Sequence, residues 1–183
     1  MIECERIDRV DSSATGHDSG VYSANSSYIP EQADCEHGCA EPDLSAFQGL
    51  FGGKQTAAKT PCKKDGTMGE PEFTPAGKAL PKCVKECILE HEMIHFTDKN
   101  LADACMDMRT KVKEGQSSKG TSSEKKRRAE KAKEAIKNYK TALAASECAA
   151  YKAELLCYRK HYCCPGVMKF VENSEKFVKE NCS

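Results

Sequence analysis

Leu89-Glu90-His91-Glu92-Met93-Ile94-His95-Phe96-Thr97-Asp98 is the stretch on which the reading of the whole chain turns. On an α-helix, residues four apart lie about 40° apart around the axis, so His91 and His95 point the same way, one turn apart. Two imidazoles placed like that can grip one Zn²⁺, and Glu92, at the edge of the same face, can serve a neighbouring water as general base. The segment reads as helical: Pro81 suits a first turn, and no Gly or Pro interrupts the run to Leu101. The spacing predicts a helix from about Pro81 to near Leu101, continuing past Cys105 toward Val112. Ile88, Met93, Ile94 and Phe96 make its surroundings apolar, which suits a buried site better than two surface histidines flanking an acid.

Working outward, Cys83 and Cys87 continue the four-residue step of the two histidines. If bridged outward, they anchor the turns just before the metal ligands and restrict the ligand rotamers from behind. Gly115 to Ser123 is a polar, flexible connector. Ser122 or Ser123 is expected to cap a second long helix, about Glu124 to Tyr162, with Glu124 in its first turn. The first half of that helix is basic and expected in solvent, whereas its apolar second half, Tyr139 to Tyr158, packs on the first helix. Pro165-Gly166 ends it, and Val167 to Lys179 forms a short closing helix tied down by Cys182.

Residues 1–80 read as an irregular N-terminal part of the same domain, and residues 81–183 as its helical core with the connector at 115–123. Short strands are expected near Val21-Tyr22 and Ser27-Tyr28-Ile29, and a helix start near Asp43-Leu44-Ser45-Ala46-Phe47. Burial alone cannot hold such a segment, so Cys4, Cys35, Cys39 and Cys62 are expected to staple it to the rest.

The chain has 183 residues with 28 basic and 28 acidic side chains, enough for one domain with a modest core. Charge is unevenly placed. Residues 1–60 carry ten acids against four bases, and Arg109 to Lys140 twelve bases against four acids. Aromatic residues are sparse in the basic stretch, so no nucleic-acid platform is expected and a solvated helix face is the plainer reading. Twelve cysteines, an even and high count without a C-x-x-C pair, point to disulfides in an oxidising compartment rather than to a cysteine-held zinc. No segment is apolar enough to span a membrane, and Met1-Ile2-Glu3-Cys4-Glu5-Arg6 is no signal peptide. A disulfide-bearing chain of this kind is expected either as a domain of a longer polypeptide or as cargo of a secretion machine.

A catalytic zinc takes three protein ligands and keeps one open position. On the second helix Glu147, Ala150, Tyr151, Glu154, Tyr158 and His161 share one stripe. Glu147, Glu154 and His161 stand seven residues apart, roughly 10 Å along the axis, so only one of them reaches the metal. Asp98, three residues after His95, is another possible ligand, or a partner that orients an imidazole. Tyr151 or Tyr158 could donate to the oxyanion of a tetrahedral intermediate. His161 and His17 read as structural or surface residues.

Glu147-Cys148-Ala149-Ala150-Tyr151 resembles the E-x-x-A-aromatic element of gluzincin-type zinc peptidases. The resemblance implies His91, His95 and Glu147 as ligands and Glu92 as base, with Glu154 and Asp98 in reserve. It covers about fifteen residues, and the 52 positions from His95 to Glu147 include the Lys-rich, Gly/Ser-rich insertion. The edge strand that binds peptide substrate in this clan has no obvious sequence counterpart. The fold class expected is mainly α: a zincin-like core of the first helix packed on the long second one, with a loop-rich, disulfide-stapled N-terminal region. In size and cysteine density the chain also resembles the metallopeptidase toxin domains of bacterial polymorphic toxins and type VI secretion effectors. That likeness implies a protein or peptide substrate, action in the periplasm of a target cell, and a cognate immunity protein. Two alternatives remain open: a zinc amidase or peptidase acting on peptidoglycan stem peptides, and a non-catalytic, disulfide-rich binding module.

Overall fold

The computed structural model describes Leu50 and residues 56–182, which fall within one compact unit, Glu41–Ser183. The strands expected near residues 21–22 and 27–29, the helix start at 43–47, His17, and Cys4, Cys35 and Cys39 lie outside the described residues.

A minimal antiparallel ribbon comes first. Strand β1 (Ala58–Lys59) pairs with β2 (Glu72–Phe73), Ala58 facing Phe73 and Lys59 facing Glu72, and a further bridge joins Cys62 to Met68. The connecting turn closes on Asp65, whose carboxylate accepts from the backbone N–H of Thr67 at 3.0 Å and from its hydroxyl at 2.8 Å. One helical turn, α1 (Pro75–Lys78), follows, with Thr74 as its cap. Gly77 is required there because a Cβ would fall 1.9 Å from the Ala57 carbonyl oxygen; the backbones of β1 and α1 touch through it.

Helix α2 (Lys82–Thr97) starts just after Pro81, its N-cap and one residue from the predicted start, but it does not run on to Leu101. At Asp98 the backbone turns extended, and the Asp98 carboxylate accepts from the N–H groups of Asn100 and Leu101, starting α3 (Lys99–Gly115). Asp competes for backbone donors and favours a cap over a helix interior, which is why one long helix becomes two. After the connector, Thr121 (rather than Ser122 or Ser123) caps α4 (Ser122–Lys160) in a capping box with Glu124. The closing helix α5 (Val167–Asn181) begins after Gly166, which holds φ +75°.

The 39 residues of α4 extend about 58 Å and form the spine of the fold. Helix α3 folds back along its basic first half, so that half is not wholly in solvent: Ala135 is buried although the lysines around it are exposed. Helices α2 and α5 pack on the second half around Val84, Cys87, Ile88, Tyr158, Val167 and Phe170. Four disulfides join described residues: Cys62–Cys105, Cys83–Cys164, Cys87–Cys157 and Cys148–Cys182. Cys83 and Cys87 do fasten the turns before the histidines, but not outward. Cys87 is fully buried and bridges inward to α4, while Cys83 reaches the turn that follows it. Cys62–Cys105 ties the ribbon to α3, and Cys148–Cys182 pins the end of α5. The described fold is mainly α, and none of its helices is long and apolar enough to cross a membrane.

Candidate metal centre

Helix α2 presents His91 and His95 on one face with their Nε2 atoms 3.2 Å apart. From α4, Glu147 Oε2 lies 3.4 Å from His91 Nε2 and 3.6 Å from His95 Nε2. Four ligands arranged tetrahedrally at zinc–nitrogen and zinc–oxygen distances of ~2.0–2.1 Å would stand ~3.3 Å from one another. The triangle of 3.2, 3.4 and 3.6 Å therefore has the size of one face of such a tetrahedron. Two imidazole nitrogens and one carboxylate oxygen are also a donor set suited to a divalent cation with one position left open.

The far side of each ring is tied down. His91 Nδ1 meets Glu154 Oε2 at 2.9 Å, and His95 Nδ1 meets the buried Ser146 hydroxyl at 2.9 Å. With the proton on Nδ1 in both rings, each Nε2 lone pair points at the shared centre, which is the tautomer a metal ligand needs. Glu154 is braced in turn by Tyr158, whose hydroxyl donates to Oε1 at 2.6 Å from a fully buried position. Both oxygens of Glu154 are thus engaged behind the histidine. Glu147, one α4 heptad away, is the carboxylate that faces the two Nε2 atoms.

The electrostatics describe a place built for positive charge. Burial disfavours a charged His91, yet hydrogen bonds and attraction from Glu147 and Glu154 outweigh it and push its pKa up to about 10. Burial acts against ionised Glu147 as well, and the two histidines overcome it and pull the carboxyl down to about 2. An ion at the two Nε2 atoms would face Glu147 directly, with Glu154 acting on it only through the His91 ring. Tyr151 is pushed up to about 12, first by burial and then by Glu154, Glu147 and Glu92, so its hydroxyl keeps its proton at neutral pH.

These groups open onto a cavity of about 590 Å³, within the range of small-molecule and peptide sites. Glu92 lines it, 6 % exposed, with Oε2 accepting from the Thr60 hydroxyl at 2.8 Å. Tyr151 sets its ring edge-on to His91, centroids 4.7 Å apart, and stacks on Phe177 of α5 at 3.9 Å. Residues 56–62, including β1, also line the cavity. A strand beside the site therefore exists where the sequence offered no obvious one; two paired residues are too short to show a period.

Three further residues named from the sequence stand away from the two Nε2 atoms. Asp98 caps α3 and orients neither imidazole, because the helix that would have carried it onto the metal face ends before it. Tyr158 hydrogen-bonds Glu154 from the core, which removes it from the oxyanion role. Glu154, the reserve ligand, meets His91 at Nδ1, on the far side of the ring from Glu147. A second group of potential ligands, Cys87, Cys157 and His161, holds no thiolate, since its two sulfurs form a disulfide. Sequence reasoning missed Ser146 and Thr60. Ser146 immediately precedes Glu147, but no pattern sets one helical serine apart. Compared with protein-family models, curated proteins and solved structures, the chain matches none at significant similarity.

Proposed function

We propose that this chain is a zinc-dependent peptidase. The observation that carries the reading is the triangle of His91 Nε2, His95 Nε2 and Glu147 Oε2, sized for a tetrahedral ion and opening onto a cavity that Glu92 also lines. His91, His95 and Glu147 would hold the zinc, with Glu154 and Ser146 fixing the two rings. Bound there, Zn²⁺ supplies a Lewis acid that polarises a carbonyl and acidifies water.

The chain's own groups do the rest. Glu92 takes the proton of the attacking water and passes it to the departing amine. Tyr151, held against Phe177 and keeping its proton at neutral pH, offers a hydroxyl donor to the developing oxyanion. The run Thr56–Pro61 gives the cavity an extended wall against which a peptide backbone can lie. Four disulfides fit work in an oxidising compartment, which agrees with a secreted or machine-delivered toxin domain acting in the periplasm of a target cell and countered by an immunity protein.

Purified protein is expected to carry one equivalent of zinc by elemental analysis and to cleave a mixed quenched-fluorescent peptide pool. His91→Ala should lose both metal and cleavage, whereas Glu92→Ala should keep the metal and lose cleavage. Metal-free protein that is still folded would return the chain to the class of binding modules.

A further inference from the structure

Glu92 is buried, and Thr60 is the residue that supplies its side chain with a hydrogen bond among the described residues. The Thr60 hydroxyl sits 2.8 Å from Glu92 Oε2 and 3.0 Å from the main-chain carbonyl oxygen of the same residue. Its one proton is shared between two acceptors belonging to one amino acid 32 positions away, so the hydroxyl registers the carboxylate against the helix backbone. Glu92 Oε1 has no partner among the described residues, which leaves one oxygen for the proton it must take.

The donor is itself held rigidly. A β-branched side chain is stiff at χ1. On one side Thr60 follows β1, paired to β2 through Lys59 and Glu72. On the other, Cys62 is bonded to Cys105 of α3, and its carbonyl accepts from Arg109 Nη2 at 2.6 Å. The segment carrying the hydroxyl is thereby clamped to both a strand and a helix within a few residues.

We infer that Thr60 is a positioning residue for the general base: its hydroxyl holds Glu92 Oε2 so that the other oxygen faces the water to be activated. This rests on the peptidase reading. Thr60 gives up no proton in the step; the water's proton goes to Glu92 and from there to the amine. Removing the hydroxyl leaves Glu92 free to swing without disturbing His91, His95 or Glu147. The loss should therefore fall on turnover and spare both substrate and metal binding.

The test uses the full zinc-loaded chain and the same peptide pool, followed on one substrate that it cleaves. Thr60→Val should lower kcat by on the order of 10- to 100-fold, the range expected when a reacting group is misplaced. KM should stay within about twofold and zinc content at one equivalent, because neither depends on the base. Thr60→Ala, which cannot clash, should repeat the loss, and Thr60→Ser, which keeps the hydroxyl, should restore most of the rate. A readout independent of turnover is the crystal structure of Thr60→Val, in which the Glu92 carboxylate should have left its present place; in Thr60→Ser it should not. The inference is overturned if Thr60→Val turns over like the parent while Glu92→Ala is inactive. It is equally overturned if Thr60→Ser is as slow as Thr60→Val, or if Glu92 stays put without the hydroxyl. Activity surviving in Glu92→Ala marks a different failure, that of the peptidase reading, and removes the role of Thr60 along with it.

Discussion

Two ion pairs involving α4 have nearly the same length and little else in common. In the basic first half, Lys133 and Glu130 meet at 3.0 Å with side chains 72 % and 59 % exposed. Beside the second half, His91 and Glu154 meet at 2.9 Å with 12 % and 9 % exposed. Water solvates the first pair whether or not it forms, so it contributes roughly 0–1 kcal/mol. The second pair has exchanged water for named partners: Tyr158 and His91 on Glu154, and Glu147 across His91. Breaking a buried pair of that kind leaves a charge without compensation and costs several times more. One helix thus serves two purposes. Its first half keeps most of its charged side chains in solvent beside α3, and its second half carries polar groups that burial alone would reject.

That contrast can be broken or sharpened by substitution, beginning with the largest effect. Cys87→Ala combined with Cys157→Ala removes a cross-link between residues 70 apart in sequence. For a loop of that length the expected loss is ~4 kcal/mol, read from urea unfolding of the metal-free protein. A loss below about 1 kcal/mol would mean that the second half of α4 is held by packing without help from its bridges. Next comes Glu154→Gln, which keeps the size of the side chain but weakens its hold on His91. Zinc affinity should fall roughly 10- to 100-fold in competition with a chromophoric chelator, the usual consequence of losing a partner behind a ligating histidine. Unchanged affinity would show that His91 needs no brace. Smallest is Lys133→Ala, expected to shift stability by less than about 0.5 kcal/mol and zinc affinity not at all. A large effect there would erase the distinction between the two halves.

What the sequence could reveal divides along a physical line. His91, Glu92 and His95 were readable because helical spacing alone brings two rings one turn apart. Glu147 was readable as one of three candidates on a stripe, and the choice among them came from family resemblance rather than geometry. Glu154 shows why: seven residues on and facing the same way, it turns out to brace the first histidine from behind, a role that depends on the crossing of α2 and α4. The break at Asp98 was hidden because a cap is a local competition, and the apolar pattern around it continues almost unchanged. Thr60 was hidden more deeply, since 32 residues and a two-residue strand separate it from the carboxylate it touches. Disulfide pairing among twelve cysteines has no signature in spacing; it follows from where the helices lie.

The most direct measurement is a crystal of the zinc-soaked protein recorded on both sides of the zinc absorption edge. A single anomalous peak is expected about 2.0–2.2 Å from His91 Nε2, His95 Nε2 and Glu147 Oε2 together. A peak at other residues, or none while those three atoms stay gathered, would contradict the metal centre and the chemistry built on it.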